Sequence, residues 1–101
     1  MHIVIVGAGP AGLGAARHCQ DFIKDYDDGR VTVFEKTDKI GGIWNGDEDS
    51  PIYRDLHTNL PKELMAFPDF PFHDTKKSFI HHQEVTKYLQ QYSKHFELEK
   101  V

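Results

Sequence analysis

The 101-residue sequence has one cysteine, no cluster of basic residues and no long apolar run. Cys19 cannot form an internal disulfide, and without a C-x-x-C pair the sequence favours neither structural zinc nor dithiol redox chemistry. A net charge of −4 argues against a protein that binds nucleic acid. No segment approaches the roughly 20 apolar residues of a membrane-spanning helix. We therefore predict no metal site, no nucleic-acid partner and a cytoplasmic location.

What the sequence does contain is a glycine turn between a strand and a helix. Residues 2–6 (HIVIV) are β-branched and predict a strand buried on both faces, and residues 10–26 carry apolar side chains at helical spacing. In the turn, Gly7 permits the tight reversal, Gly9 leaves room for a pyrophosphate, and Gly12 allows close helix–strand packing. The pattern predicts a dinucleotide whose phosphates lie at the helix N-terminus.

A carboxylate follows the next predicted strand, residues 31–34. Strand, turn, helix and strand form a βαβ unit, whose crossover should be right-handed. Glu35 follows Gly12 by 23 residues, where a carboxylate can accept hydrogen bonds from an adenosine ribose. Because Glu35 also repels a 2′-phosphate, the site should hold FAD or NAD and not NADP. The alternative is a glycine turn that only tightens a β-to-α connection, with Glu35 solvated.

The rest of the sequence is organised differently. Residues 37–74 are rich in proline and aromatic residues, which predicts a long irregular segment with a short helix starting near Pro61. A longer helix is expected from Glu84 to about His95, although its start lacks a clear N-cap residue. Residues 96–101 have the pattern of an approach to another strand. Because a doubly wound sheet needs a third strand, we expect the chain to be the opening of a longer protein.

Further motifs carry a resemblance to a known family. In order, the sequence contains G-A-G-P-A-G, E-K-x-x-x-I-G-G-x-W, L-x-T-N-x-P-K-E-x-M, F-P-D-F-P-F and H-x-E-V-x-x-Y-L. Together they cover essentially the whole chain, which resembles the N-terminal segment of the flavin-containing monooxygenases, the dimethylaniline N-oxide-forming family. Bacterial ketone-oxidising relatives share the glycine turn and the G-G-x-W motif.

The resemblance implies a cofactor, a reaction and a set of residues. FAD is the implied cofactor, and NADPH and O2 are used to oxygenate a soft nitrogen or sulfur nucleophile. Asn59 matches an asparagine near the isoalloxazine and is the implied catalytic residue. The implied FAD-binding residues are Gly7, Gly9, Pro10, Ala11, Gly12, Glu35, Lys36, Gly42, Ile43, Trp44, Thr58 and Asn59. From residue chemistry alone, Asn59 equally suits a helix cap, and Trp44 suits core packing.

The expected fold class is α/β: an incomplete Rossmann-type FAD-binding βαβ unit, a loop-rich segment and a C-terminal helix. Residues 1–101 are expected to form the N-terminal part of an FAD-binding domain without the NADPH-binding domain, inactive as this fragment alone. A full-length family member is expected in the cytoplasm or at the endoplasmic reticulum membrane. Two alternatives stay open: part of another two-dinucleotide flavoprotein oxidoreductase, and a non-enzymatic truncated product.

Overall fold

The computed structural model describes residues 1–46, 50–72 and 77–98, and confirms the α/β fold class. In chain order the elements are strand β1 (His2–Val6), helix α1 (Pro10–Ile23), strand β2 (Arg30–Phe34), a 3-10 helix (Gly42–Asn45), helix α2 (Lys62–Met65) and helix α3 (His82–His95). The first strand has the predicted bounds, and the second begins one residue earlier than predicted.

β1 and β2 form a parallel two-stranded sheet, joined by α1. Leu13 and Ala16 of α1 are 2% and 0% exposed and belong to the hydrophobic core, because one face of the helix packs on the sheet. The opposite sheet face is open in the described structure, where Val4 and Val6 are 50% and 86% exposed. The prediction that β1 is buried on both faces is therefore wrong here, because α1 covers only one face.

Helix α1 ends three residues earlier than predicted. The amide of Tyr26 donates to the Ile23 carbonyl at 2.9 Å, and the amide of Gly29 donates to the Tyr26 carbonyl at 3.1 Å. These bonds turn the chain towards β2. Apolar spacing extends the pattern to Tyr26, but the tight connection ends the helix at Ile23.

Helix α3 begins two residues earlier than predicted, because its N-cap is a histidine. Nδ1 of His81 accepts a hydrogen bond from the amide of Gln83 at 3.2 Å, while Nε2 lies 2.8 Å from the carbonyl oxygen of Arg54. Nε2 must therefore carry the proton. Ser, Thr, Asp and Asn are the usual N-caps, so a histidine in this place is not a simple signal for a helix start.

The aromatic residues of the loop-rich segment pack against α3. The Tyr88 hydroxyl accepts from the amide of Phe67 at 2.9 Å and donates to the carbonyl of Phe70 at 2.5 Å. Phe72 stacks on Tyr88 with ring centroids 3.8 Å apart, and Phe67 stacks on Tyr92 at 4.2 Å. Phe67, Phe70 and Phe72 are therefore packing residues, partly buried against the core.

The chain turns after α3 and does not enter a strand at residues 96–98. Phe96 is the C-cap, Glu97 has a positive φ of 57°, and Leu98 returns to the core with 5% exposure. Residues 96–98 therefore form a turn, and the expected approach to another strand stays a prediction, because residues 99–101 lie outside the described structure.

Candidate dinucleotide site

The glycine turn has a backbone shape that other residues would disturb. The amide of Gly7 donates to the Phe34 carbonyl at 2.7 Å, which ties the end of β1 to the end of β2. Gly7 has φ of +99°, a conformation that favours glycine. A Cβ at Gly12 would lie 1.9 Å from the carbonyl oxygen of Gly7, so α1 can approach the strand only without a side chain there. The two glycines have the geometric roles that the motif predicts.

The N-terminus of α1 presents amides without a capping side chain. Gly9 is the N-cap, Pro10 follows it, and the first turn contains no acidic residue. The first N–H groups of any helix lack intrahelical acceptors, and the helix dipole favours negative charge at that end. The amides of Ala11 and Gly12 are therefore suited to an anionic group.

Glu35 lies directly beside this turn. Its Oε1 accepts from the amide of Ala8 at 2.9 Å, and its Oε2 accepts from both the amide and the hydroxyl of Thr37, each at 2.9 Å. The hydrogen bond from Ala8, followed by those from Thr37, lowers the pKa of Glu35. The carboxylate is thus ionised at neutral pH and fixed in position. It is not the solvated strand end of the alternative interpretation.

The second glycine pair contacts the turn through its backbone. The amide of Gly41 donates to the Ala8 carbonyl at 2.8 Å, and Gly41 and Gly42 have positive φ values of 113° and 61°. A Cβ at Gly42 would lie 3.1 Å from the Cα of Gly9. The two glycine segments, far apart in sequence, therefore form one surface.

Two cavities border this surface. One, of about 250 Å³, is lined by Glu35, Lys36, Thr37, Gly42, Ile43, Asn45 and Ser50. The other, of about 200 Å³, is apolar and is lined by Pro10, Ala11, Trp44, Met65, Phe67, Phe72, Val85, Tyr88 and Leu89. Trp44 both lines the apolar cavity and packs against the core, so the two interpretations of this residue are compatible.

Thr58 and Asn59 lie on a separate loop and line neither cavity. The hydroxyl of Thr58 donates to the Leu60 carbonyl at 2.8 Å and accepts from the amide of Ile80 at 3.2 Å, so it serves the loop itself. Asn59 is exposed. The N-cap of α2 is Pro61, with no side-chain cap, so the alternative of Asn59 as a helix cap is wrong.

Sequence reasoning missed four residues around Glu35. Ala8 and Thr37 donate to its carboxylate, and Asn45 and Ser50 line the adjoining cavity. Thr37 had a usable signal, since a threonine two residues from an acid often bonds to it locally. Asn45 and Ser50 approach Glu35 only through the course of the loop.

The described residues contain neither a helix long and apolar enough to cross a membrane nor a group of three or more side chains suited to a metal ion. The adjacent histidines instead bond to backbone. Nε2 of His81 and of His82 lie 2.8 and 3.1 Å from the carbonyl oxygen of Arg54.

A parallel βαβ unit with a glycine turn, an uncapped helix N-terminus and a fixed carboxylate defines a Rossmann-type dinucleotide-binding unit. The family model described as flavin-binding monooxygenase-like matches residues 1–101. The chain belongs to this family of flavoprotein oxidoreductases, and the prediction from its motifs is confirmed.

Individual relatives are consistent with this family assignment. Human "Dimethylaniline monooxygenase [N-oxide-forming] 4" is 37% identical over 101 residues, covering 95% of this chain and 17% of the relative. "Flavin-containing monooxygenase FMO GS-OX1" of Arabidopsis thaliana is 34% identical, covering 99% of this chain and 26% of the relative. The structure of an S-allyl-L-cysteine S-oxygenase from Allium sativum superposes with a TM-score of 0.78 at 32% identity, covering 98% of this chain and 26% of that protein. The chain thus spans about a quarter or less of these proteins.

Proposed function

We propose that this chain is the FAD-binding N-terminal portion of a flavin-dependent monooxygenase that uses NADPH and O2 to oxygenate soft nitrogen or sulfur nucleophiles. The convergence of the glycine turn, the uncapped start of α1 and Glu35 at one edge of the sheet carries the proposal. Family membership supports the flavin, and the motif resemblance supports NADPH and O2.

The residues present fit FAD. The pyrophosphate would lie against the backbone of Gly7–Gly12, where the amides of Ala11 and Gly12 and the helix dipole favour its charge. Gly41 and Gly42 would extend this surface along the cofactor, because neither carries a side chain that would hold the ligand away. Lys36 and Ile43 line the cavity beside Glu35 and would contact the adenosine half.

Glu35 would accept from the adenosine ribose through one oxygen in particular. A carboxylate has about four acceptor positions. Two on Oε2 are used by Thr37 and one on Oε1 by Ala8, which leaves one on Oε1. We therefore expect one direct ribose hydrogen bond to Oε1.

The remaining residues would act around the flavin. FAD supplies the redox chemistry by which oxygen is activated. Trp44 would exclude water from the middle of the cofactor, since it lines the apolar cavity together with Pro10 and Ala11. Asn59 has an amide that both donates and accepts, and Thr58 fixes its loop through bonds to Leu60 and Ile80. Asn59 is the proposed catalytic residue.

The substrate class rests on the relatives. The human relative is named for an N-oxide product, and the protein from Allium sativum is named for S-oxygenation, so soft nitrogen and sulfur nucleophiles are the proposed substrates. A cytoplasmic location belongs to the same proposal, because a single half-buried cysteine suits a reducing compartment.

The cofactor is tested by refolding the chain with FAD, with FMN and with NADP, followed by desalting and measurement of bound ligand. FAD should be retained. FMN should not, because it lacks the adenosine that Glu35 would hold, and the Glu35 carboxylate should reject the 2′-phosphate of NADP. Equal retention of FMN and FAD would contradict the assignment of Glu35.

The oxygenation is tested in a chimera, because the chain covers only 26% of the garlic S-oxygenase. This chain replaces the matching N-terminal segment, and NADPH oxidation and S-oxide formation are measured with S-allyl-L-cysteine. Activity should be retained. The Asn59→Ala chimera should bind FAD normally and oxidise NADPH with little product, whereas full product yield would remove Asn59 from the chemistry.

A further inference from the structure

The short 3-10 helix Gly42–Asn45 has carbonyl groups that its own backbone cannot satisfy. Gly46 follows with φ of +76° and turns the chain away, so the last carbonyls have no amide ahead of them in the helix. Hydroxyl groups from elsewhere in the chain take their place. Ser50 donates to the carbonyl of Ile43, and Thr86 donates to the carbonyl of Trp44.

The bond from Thr86 joins α3 to a segment 42 residues earlier in the chain. A threonine within a helix commonly donates a hydrogen bond from its hydroxyl to the carbonyl one turn earlier in the same helix. For Thr86 that acceptor is the carbonyl of His82, at 3.2 Å. The Trp44 carbonyl is the closer of the two acceptors, and one hydroxyl proton can be directed at only one of them. The hydroxyl therefore links α3 to one other element, the 3-10 helix Gly42–Asn45.

Apolar contact alone would hold the 3-10 helix loosely. Trp44 and the α3 residues Val85 and Leu89 all line the apolar cavity of about 200 Å³, so packing in this region is incomplete. Apolar burial is also non-directional and leaves the helix free to slide or rotate. A hydrogen bond to a backbone carbonyl fixes both position and orientation.

At its other end the same segment contacts the glycine turn, through the Gly41 amide on the Ala8 carbonyl and through Gly42 against Gly9. We infer that Thr86 is a positioning residue for the cofactor site: by holding the Trp44 carbonyl it sets the Gly41–Gly42 surface against the glycine turn. This inference rests on the proposed FAD function. Through Thr86, α3 takes part in forming the site, although this helix contributes no residue to the predicted cofactor set.

The test compares Thr86→Val, which removes the hydroxyl at nearly constant shape, with Thr86→Ser, which keeps it. Thr32→Val is the matched control, because it removes a hydroxyl that bonds to the exposed His2 on the sheet. Trp44 is the only tryptophan in the chain, so its emission and its quenching by acrylamide report on this segment without any ligand. FAD affinity is measured separately by titration of flavin fluorescence, and helix content by circular dichroism.

We expect Thr86→Val to shift Trp44 emission to the red, to increase its quenching and to weaken FAD binding about fivefold, the equivalent of ~1 kcal/mol for one hydrogen bond. Thr86→Ser and Thr32→Val should match the wild type in both measurements, at equal helix content. A wild-type Trp44 signal in Thr86→Val overturns the inference, as does an altered signal with unchanged FAD affinity. If the wild type binds no FAD, the proposed function fails, and the Trp44 comparison still decides whether Thr86 holds the segment.

Discussion

Replacing Gly12 by alanine should destabilise the fold, although alanine is the better helix former. The added Cβ would lie 1.9 Å from the carbonyl oxygen and 2.9 Å from the carbonyl carbon of Gly7. Both atoms belong to backbone that the bond from Gly7 to Phe34 holds, so the turn or the helix must move. Overpacking costs about 1–3 kcal/mol, and a clash with backbone belongs at the upper end of that range.

The helix propensity of alanine offsets about 1 kcal/mol of this cost, which leaves a net loss of ~2 kcal/mol. For a domain of this size each kcal/mol lowers Tm by about 4–8 °C, so Gly12→Ala should lower Tm by roughly 8–16 °C. Gly9→Ala is the matched control. Its Cβ would meet Gly42 at an ordinary 3.6 Å, so its Tm should stay within about 4 °C of the wild type.

The functional part of the turn is tested by the FAD affinity of Gly9→Ala. Gly9→Ala should fold normally yet bind FAD about tenfold or more weakly, because the second glycine leaves room for the pyrophosphate. Thermal unfolding by circular dichroism and titration of flavin fluorescence measure the two effects. A Gly12→Ala protein as stable as the wild type would refute the steric account of the turn, and unchanged FAD affinity in Gly9→Ala would refute its functional part.

Three further predictions concern single polar groups. Because folding lowers the pKa of Glu35, its carboxylate adds stability above the ordinary pKa of 4.5, and this stability is lost as the pH falls through the lower folded value. Glu35→Gln should therefore flatten the acid limb when the urea midpoint of unfolding is plotted against pH. It should also weaken FAD binding about 10-fold or more. An unchanged acid limb would contradict this. Tyr88→Phe should cost about 1–3 kcal/mol in urea unfolding, because it leaves two backbone groups without their partner. Tyr92→Phe should be neutral or stabilising, because the buried Tyr92 hydroxyl has no partner among the described residues. Burial raises the pKa of Tyr92 to about 12, so the free energy of unfolding falls as the pH rises above about 10, where the unfolded state loses this proton more readily than the folded state. Tyr92→Phe should remove this loss of stability at high pH. Equal destabilisation by Tyr88→Phe and Tyr92→Phe would contradict both assignments.

The βαβ unit was predictable because local pattern and spacing determine it. β-branched residues define β1 and helical spacing defines α1. Gly7 and Gly9 between them, with Gly12 in the first turn of α1, allow only a narrow range of turns. The open face of β1 was not predictable. Apolar residues on both faces of a strand indicate a requirement for burial and cannot show whether the described chain supplies the cover.

The site could be predicted where it depends on sequence neighbours. Gly7–Gly12 and Glu35 are fixed by the parallel pairing of two strands, and the structure brings them together. Two contacts depend instead on how distant parts of the chain come together. They are the contact of Gly42 with Gly9 and the hydrogen bond from Thr86 of α3 to Trp44. No local pattern records such long-range contacts. Thr58 and Asn59 rest on motif resemblance, and their place at the flavin stays a prediction.

The central claim is that the glycine turn, Glu35 and the Gly41–Trp44 segment form one FAD site. A titration of the ¹⁵N-labelled chain with FAD, followed by amide and indole NMR signals, tests it most directly. The amides of Ala11, Gly12 and Gly42 and the Trp44 indole should shift together with one dissociation constant, while the amide of Gln90 on α3 stays unchanged. Shifts confined to α3, or no shifts at saturating FAD, would contradict the account.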